Sequence, residues 1–280
     1  MSAAVAAAPL ARLARPRLAT LLGLLILAFF VLCAAAPTLV APYEPNEFDF
    51  TAMLAPPSWA HPFGTDNFGR DVLSRTIFAA RVDLMIAVFS TLFAAVFGTV
   101  AGCVVGYVGG WVDGLFRRVV DVFVTIPFLV LVIAIVAVLG PGLINMFIAI
   151  SAVNWIIYAR LMRAEVQAQT RLDYAAAGRV MGYSHARIMF RHLLPNALSP
   201  LVVYWMTDMA LAILLGSSLG YLGLGAQPPT AEWGLLIADG KNFMTTAWWM
   251  SIFPGIAIVV AGSGFSLLGD GMAGWLRRRG

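Results

Sequence analysis

Residues 171–200 read RLDYAAAGRVMGYSHARIMFRHLLPNALSP, the longest hydrophilic interruption between apolar segments in the second half of the chain. The stretch carries Arg171, Arg179, Arg187 and Arg191, opposed only by Asp173. Ala186, Met189, Phe190 and Leu193 recur at i, i+3, i+4, i+7 and define one apolar helical face, while Arg187 and Arg191 share another. Gly182 interrupts the run, and Pro195 has no backbone donor to offer a continuing helix. The pattern predicts two short helices joined at a glycine and lying on a membrane surface. Residue types alone fit equally a basic amphipathic connector resting on anionic lipid.

Outward from this stretch the chain is apolar. Of its 280 residues 61% are hydrophobic and only 11% charged, with mean hydropathy +0.87. An average globular domain has roughly 25% charged residues, so the composition excludes a soluble enzyme and predicts an all-α polytopic membrane protein. Windows of about 20 residues place six spans at residues 18–37, 82–107, 119–139, 143–159, 197–220 and 248–269. The first follows Arg12, Arg15 and Arg17, and its apolar run exceeds the ~7–15 residues of a cleaved signal, so it reads as a retained anchor. The resulting plan is a tail (1–17), an anchor span (18–37), an external segment (38–81), a membrane core (82–271) and a basic tail (272–280).

Six spans put fourteen of the eighteen Lys and Arg residues on one side, leaving Arg70, Arg75, Arg81 and Lys241 on the other. The positive-inside rule then predicts that both termini and the 160–196 loop are cytoplasmic. The net charge of +4 is no nucleic-acid signal, because the arginines border apolar segments. Cys33 and Cys103 lie inside apolar runs and imply neither a disulfide nor a metal site.

Few residues are placed for chemistry. Gly216-Ser217-Ser218-Leu219-Gly220 matches the G-x-S-x-G elbow of hydrolases, but it closes an apolar helix, and His61, His185 and His192 all lie outside the spans. A hydrolase centred on Ser218 therefore lacks a base. No Walker A sequence, H-E-x-x-H or Cys/His metal spacing occurs. Asp208 is the ionisable residue deepest in a predicted span, which makes it a candidate for the translocation path, with structural pairing as the plain alternative. Asp121 lies one turn from Arg117 and Arg118 and reads as an ordinary ion pair. Trp233, Trp248 and Trp249 suit a membrane interface, and Gly98, Gly102 and Gly106, four apart, suit close helix packing.

A set of motifs in order carries a resemblance. They are His61-Pro62-Phe63-Gly64-Thr65-Asp66, Gly69-Arg70-Asp71-Val72-Leu73-Ser74-Arg75, Gly106-Tyr107-Val108-Gly109-Gly110-Trp111-Val112-Asp113 and Arg118-Val119-Val120-Asp121. Tyr221-Leu222-Gly223-Leu224-Gly225, Pro228-Pro229, Glu232-Trp233-Gly234 and Leu267-Leu268-Gly269-Asp270-Gly271 follow. From about residue 40 to 275 the chain resembles permease subunits of ATP-binding-cassette importers of the dipeptide/oligopeptide/nickel group, and its first-half motifs resemble the second of the paired permeases.

The resemblance implies a type I importer permease fold and a bacterial inner-membrane location. It implies as partners a second homologous permease, two ATPase subunits that bind the ATP and magnesium, an external substrate-binding protein and the surrounding lipid. The chain itself is then no enzyme and holds no cofactor or metal. Residues 171–195 resemble the family's ATPase-coupling loop, which carries this role onto Asp173, Ala176, Ala177, Gly178, Gly182, Arg187, Arg191, Leu194 and Pro195. Ala176, Ala177 and Gly178 stand where the family often has Glu-Ala-Ala, and Gly216 stands where many relatives have an acidic residue.

Small peptides are the substrate this reading favours; nickel or another solute is the alternative within the same type of complex. The spans hold no cluster of His, Cys or carboxylates that would suit a bare metal ion. A stand-alone secondary transporter, which would need Asp208 for proton coupling, is the rival class. Against it stand six spans without a clear inverted repeat.

Overall fold

The computed structural model describes residues 8–276, and these form helices without any strand. In chain order the helices are α1 (Ala8–Ala35), α2 (Pro37–Val40), α3 (Val72–Val108), α4 (Gly110–Val124), α5 (Phe128–Leu139) and α6 (Leu143–Gln169). They continue with α7 (Asp173–Val180), α8 (His185–Arg187), α9 (Leu194–Tyr221), α10 (Trp233–Gly240) and α11 (Trp249–Leu276). The π-helical turn Ile188–Leu193 joins α8 to α9 without a break. Arg277, Arg278 and Arg279 of the basic tail lie outside the described residues.

Five of these helical stretches are long and apolar enough to cross a membrane; a sixth span results only if α4 and α5 count as one. That pair bends by 84°, which corrects the expectation of a continuous span at 119–139. The break falls at Thr125-Ile126-Pro127. Pro127 has no N–H to donate and disfavours helical backbone at the residue before it. Thr125 Oγ1 turns back to the Val122 carbonyl at 2.6 Å, taking up an acceptor that the break would leave free.

The helix of the second span starts earlier than the expected 82: α3 begins at Val72, so the end of the 38–81 stretch is already helical. With 37 residues α3 is about 55 Å long, well beyond the ~30 Å of bilayer hydrocarbon. Asp71 starts it, accepting the Ser74 N–H at 2.7 Å.

Helices α3, α6 and α9 form the centre. A methyl group on Gly98 or Gly102 would overlap the Trp155 and Ala159 carbonyls of α6, and one on Gly106 would stand 2.8 Å from the Arg163 carbonyl. The four-residue glycine spacing thus lets two backbones meet. Helix α1 docks on α11 in the same way, with Gly264 backing onto Ile26 and Leu27. Helix α4 buries Val112, Phe116 and Val120 against Trp155, Ile156 and Ala159 of α6, at the helical spacing of 3.6. Gly102→Val is expected to destabilise the chain by about 1–3 kcal/mol, because α3 and α6 must separate. Its thermal midpoint in mild detergent should fall below that of Gly114→Val, whose added side chain meets open space; equal midpoints would refute this account of the packing.

Candidate functional site

Asp208 lies in α9 and is 4% exposed. Asn154 Nδ2 and Tyr158 Oη, one turn apart on α6, both donate to its Oδ2, at 2.7 and 2.6 Å. The Tyr158 ring meets Tyr204 of α9 edge-on, 5.1 Å between centroids. On the other side of the carboxylate a cavity of about 360 Å³ opens, lined by Phe128 and Leu129 of α5, Ile150 and Asn154 of α6, and Tyr204, Leu211 and Ser218 of α9. Asp208 therefore has the structural partners of one reading and the cavity of the other. Ser218 borders the same cavity, but its Oγ donates to the Leu214 carbonyl one turn back at 2.7 Å. It sits in continuous helix, so the elbow geometry a nucleophile needs is absent there.

Neither Asn154 nor Tyr158 stood out in the sequence. Each is a single polar residue in an apolar run, and nothing in the chain pairs it with a carboxylate some fifty positions away. The same holds for a second group above the bundle. Asp83 of α3 is fully buried; its Oδ1 accepts from Ser217 Oγ at 3.4 Å and its Oδ2 from the Trp233 N–H at 3.1 Å. Glu232 caps α10, taking the Gly234 and Leu235 N–H groups at 2.7 and 2.8 Å, and its carboxyl neighbours that of Asp83. Burial pushes the Glu232 carboxyl from 4.5 up to about 7, against the two backbone bonds that pull it down.

The stretch between α2 and α3 is tied down by buried charges. Asp66 Oδ2 accepts from Arg70 Nε at 2.7 Å and from Arg75 Nη1 at 2.8 Å, all three side chains being buried. Asp239 of α10 stands 3.7 Å from Arg75, and His61 Nδ1 lies 2.9 Å from Asp71. The tryptophans correct the interface expectation. Trp233 is buried and donates to the Thr76 carbonyl at 2.9 Å, Trp249 is buried and donates to the Thr65 carbonyl at 3.0 Å, and of these three Trp248 alone is exposed.

The loop at 171–195 is partly as expected. Helix α7 ends in a Schellman motif: Gly182 has φ +72°, its N–H meets the Arg179 carbonyl at 3.0 Å, and Tyr183 N–H meets the Gly178 carbonyl at 3.1 Å. The second short helix is not separate. Leu194 N–H reaches back five residues to the Met189 carbonyl, and this wider π turn accommodates Pro195 where an α-turn would clash. His185 to Tyr221 is consequently one continuous helical rod, and Pro195 ends nothing.

The π turn also shifts the buried face. Ile188, Leu193 and Ala197 are buried with Ala175, while Ala186 and Phe190 are exposed. Asp173, Ala176, Ala177, Arg187 and Arg191 are exposed, Gly178 is buried, and Leu194 is half-buried at the foot of α9. Arg187 stacks 4.0 Å over the Tyr183 ring. Arg117 pairs with Asp113 at 3.2 Å rather than with Asp121, and Arg163 of α6 binds the same Asp113.

Residues 98–279 match the family described as binding-protein-dependent transport system inner membrane component, and residues 10–57 match the N-terminal transmembrane domain of oligopeptide transport permease C. The chain belongs to the binding-protein-dependent transport permeases. This permease is 45% identical over 256 residues to the dipeptide transport system permease protein DppC of Escherichia coli, covering 89% of this chain and 85% of that one. It is 40% identical over 256 residues to the di/tripeptide transport system permease protein DppC of Pseudomonas aeruginosa, covering 89% and 84%. A probable D,D-dipeptide transport system permease protein of Escherichia coli is 38% identical over 233 residues, covering 83% of this permease and 78% of the relative.

The Glu232 carboxyl makes this permease sensitive to pH. Its folded pKa is raised, so the folded state keeps a proton that the unfolded chain releases, and stability falls as pH rises from 4.5 to about 7. The thermal midpoint in detergent should be higher at acid pH than above neutrality, and Glu232→Gln should flatten the slope. A wild-type midpoint that rises across the same window would contradict the buried carboxyl.

Proposed function

We propose that this permease forms half of the translocation pathway of an ATP-driven importer of small peptides. The observation that carries the substrate class is 40–45% identity, over 83–85% of their lengths, to permeases whose names assign them dipeptides or di/tripeptides. A second homologous permease supplies the other half of the path, two ATPase subunits bind ATP and magnesium, and an external binding protein delivers the peptide. The chain carries no catalytic role. It sits in the bacterial inner membrane with both termini cytoplasmic, as the fourteen-to-four distribution of Lys and Arg supports.

In this reading residues 171–195 couple ATP hydrolysis to transport, and Asp208 borders the path. Two features support the coupling role. Helix α7 ends on a fixed glycine cap, so it transmits a push that a flexible linker would absorb. The rod from His185 to Tyr221 carries the loop's second half and Asp208 on one helix, so displacing its foot displaces the cavity wall.

The exposed apolar side chains Leu172, Val180 and Met181 flank α7 and suit a protein groove. Val180, 89% exposed, is a cleaner probe than half-buried Leu194. Val180→Asp should reduce copurification of the ATPase subunits and dipeptide uptake together, leaving membrane levels of the permease unchanged. Wild-type copurification and uptake in that variant would count against α7 as the docking element.

A further inference from the structure

The stretch between α2 and α3 presents acidic and aromatic side chains together on its surface. No Lys or Arg occurs between Arg17 and Arg70, whereas Glu44, Glu47 and Asp49 follow one another closely and are all exposed. Among the described residues none of the three forms an ion pair. The Thr51 N–H and hydroxyl both donate to Asp49 Oδ1, at 2.9 and 2.6 Å, and hold that carboxyl below its ordinary pKa. The other acids of the stretch, Asp66 and Asp71, are buried and already paired, so the exposed charge is purely negative.

Large apolar side chains stand among these carboxylates in fixed positions. Phe48 and Phe50 stack with ring centroids 5.9 Å apart, and Phe68 meets Phe48 edge-on at 5.8 Å. The Arg70 guanidinium lies 4.9 Å from the Phe68 ring, yet all three rings remain exposed. Trp59 is fully exposed on a closed turn, in which Ser58 N–H donates to the His61 carbonyl at 2.9 Å and His61 N–H to Ser58 Oγ at 3.1 Å. Tyr43 joins the two groups: its hydroxyl donates to the Ala60 carbonyl at 3.0 Å, and Glu44 follows it in the chain.

Anionic lipid would repel three carboxylates at this place, so the aromatic residues do not suit a membrane interface. Exposed Trp and Phe anchors beside charged groups are instead the make-up of a protein interface, and rings already held by their neighbours lose little freedom on binding. We propose that this surface docks the external substrate-binding protein, which meets it with a basic patch. This docking rests on the importer reading. The family is described as binding-protein-dependent, and the fourteen-to-four distribution of Lys and Arg puts the stretch on the external side, away from the ATPase subunits. The carboxylates steer the encounter, and the aromatic anchors set how long the complex lasts.

The test uses the complete transporter in lipid nanodiscs and the purified dipeptide-binding protein of the same organism, loaded with dialanine. Trp59→Ala should raise the Kd at least about tenfold, mainly through faster dissociation. The triple variant Glu44→Gln, Glu47→Gln and Asp49→Asn should associate several-fold more slowly, with a weaker dependence on salt. Subunit copurification and thermal midpoint should match wild type in both, because the altered side chains lie on the surface. Trp59→Cys should react with a membrane-impermeant maleimide on intact spheroplasts, and saturating binding protein should block the reaction; Cys33 and Cys103 are buried and give little background.

Affinities within about twofold of wild type in both variants overturn the docking site. Labelling of Trp59→Cys that requires a membrane-permeant reagent overturns it too. Loss of subunit copurification with unchanged affinity for the binding protein makes the surface a contact between subunits and likewise overturns it. A binding protein that neither binds the wild-type transporter nor supports dialanine uptake overturns the importer reading instead.

Discussion

The contact between α3 and α6 is the constraint on which the rest of the molecule depends. Three glycines on α3 bring its backbone against the Trp155, Ala159 and Arg163 carbonyls of α6. In lipid there is no hydrophobic gain from joining two apolar helices, so such an approach must be held by dispersion and close fit. Because α6 is fixed here, Asn154 and Tyr158 face α9 and meet Asp208, while Arg163 at the far end reaches Asp113 of α4. One helix thus sets both the polar centre of the bundle and the tilt of the broken pair.

Above the bundle the chain solves a different problem. Asp66, Arg70 and Arg75 are buried together, and leaving any one of them unpaired would cost about 3–5 kcal/mol. The arrangement fastens the external segment to the start of α3 and, through Asp239, to α10. Asp83 and Glu232 make the neighbouring junction with no ion pair to a cation among the described residues, and backbone N–H groups and the Ser217 hydroxyl supply its donors.

The helical stretch from His185 to Tyr221 links the loop at 171–195 to the polar centre. It carries two irregularities: the π turn before Pro195, where the backbone opens enough to pass a residue that an α-helix excludes, and Pro200, which lies inside α9. The helix nonetheless continues, so the loop and the cavity wall share one element.

The all-helical, membrane-spanning class and the helix end at Gly182 were legible in the sequence, because hydropathy and the conformational freedom of glycine are local properties of the chain. The motif series also sufficed to reach the family. The early start of α3, the break at Thr125-Ile126-Pro127 and the continuity through Pro195 were not legible, since each depends on whether neighbouring groups satisfy the freed backbone. The tryptophans illustrate the same limit: composition places them at an interface, but the Thr76 and Thr65 carbonyls draw Trp233 and Trp249 into the interior. Asp208 could be singled out by its depth alone. Only the tertiary structure could give it Asn154 and Tyr158, because these groups are distant in sequence and meet only when the helices pack.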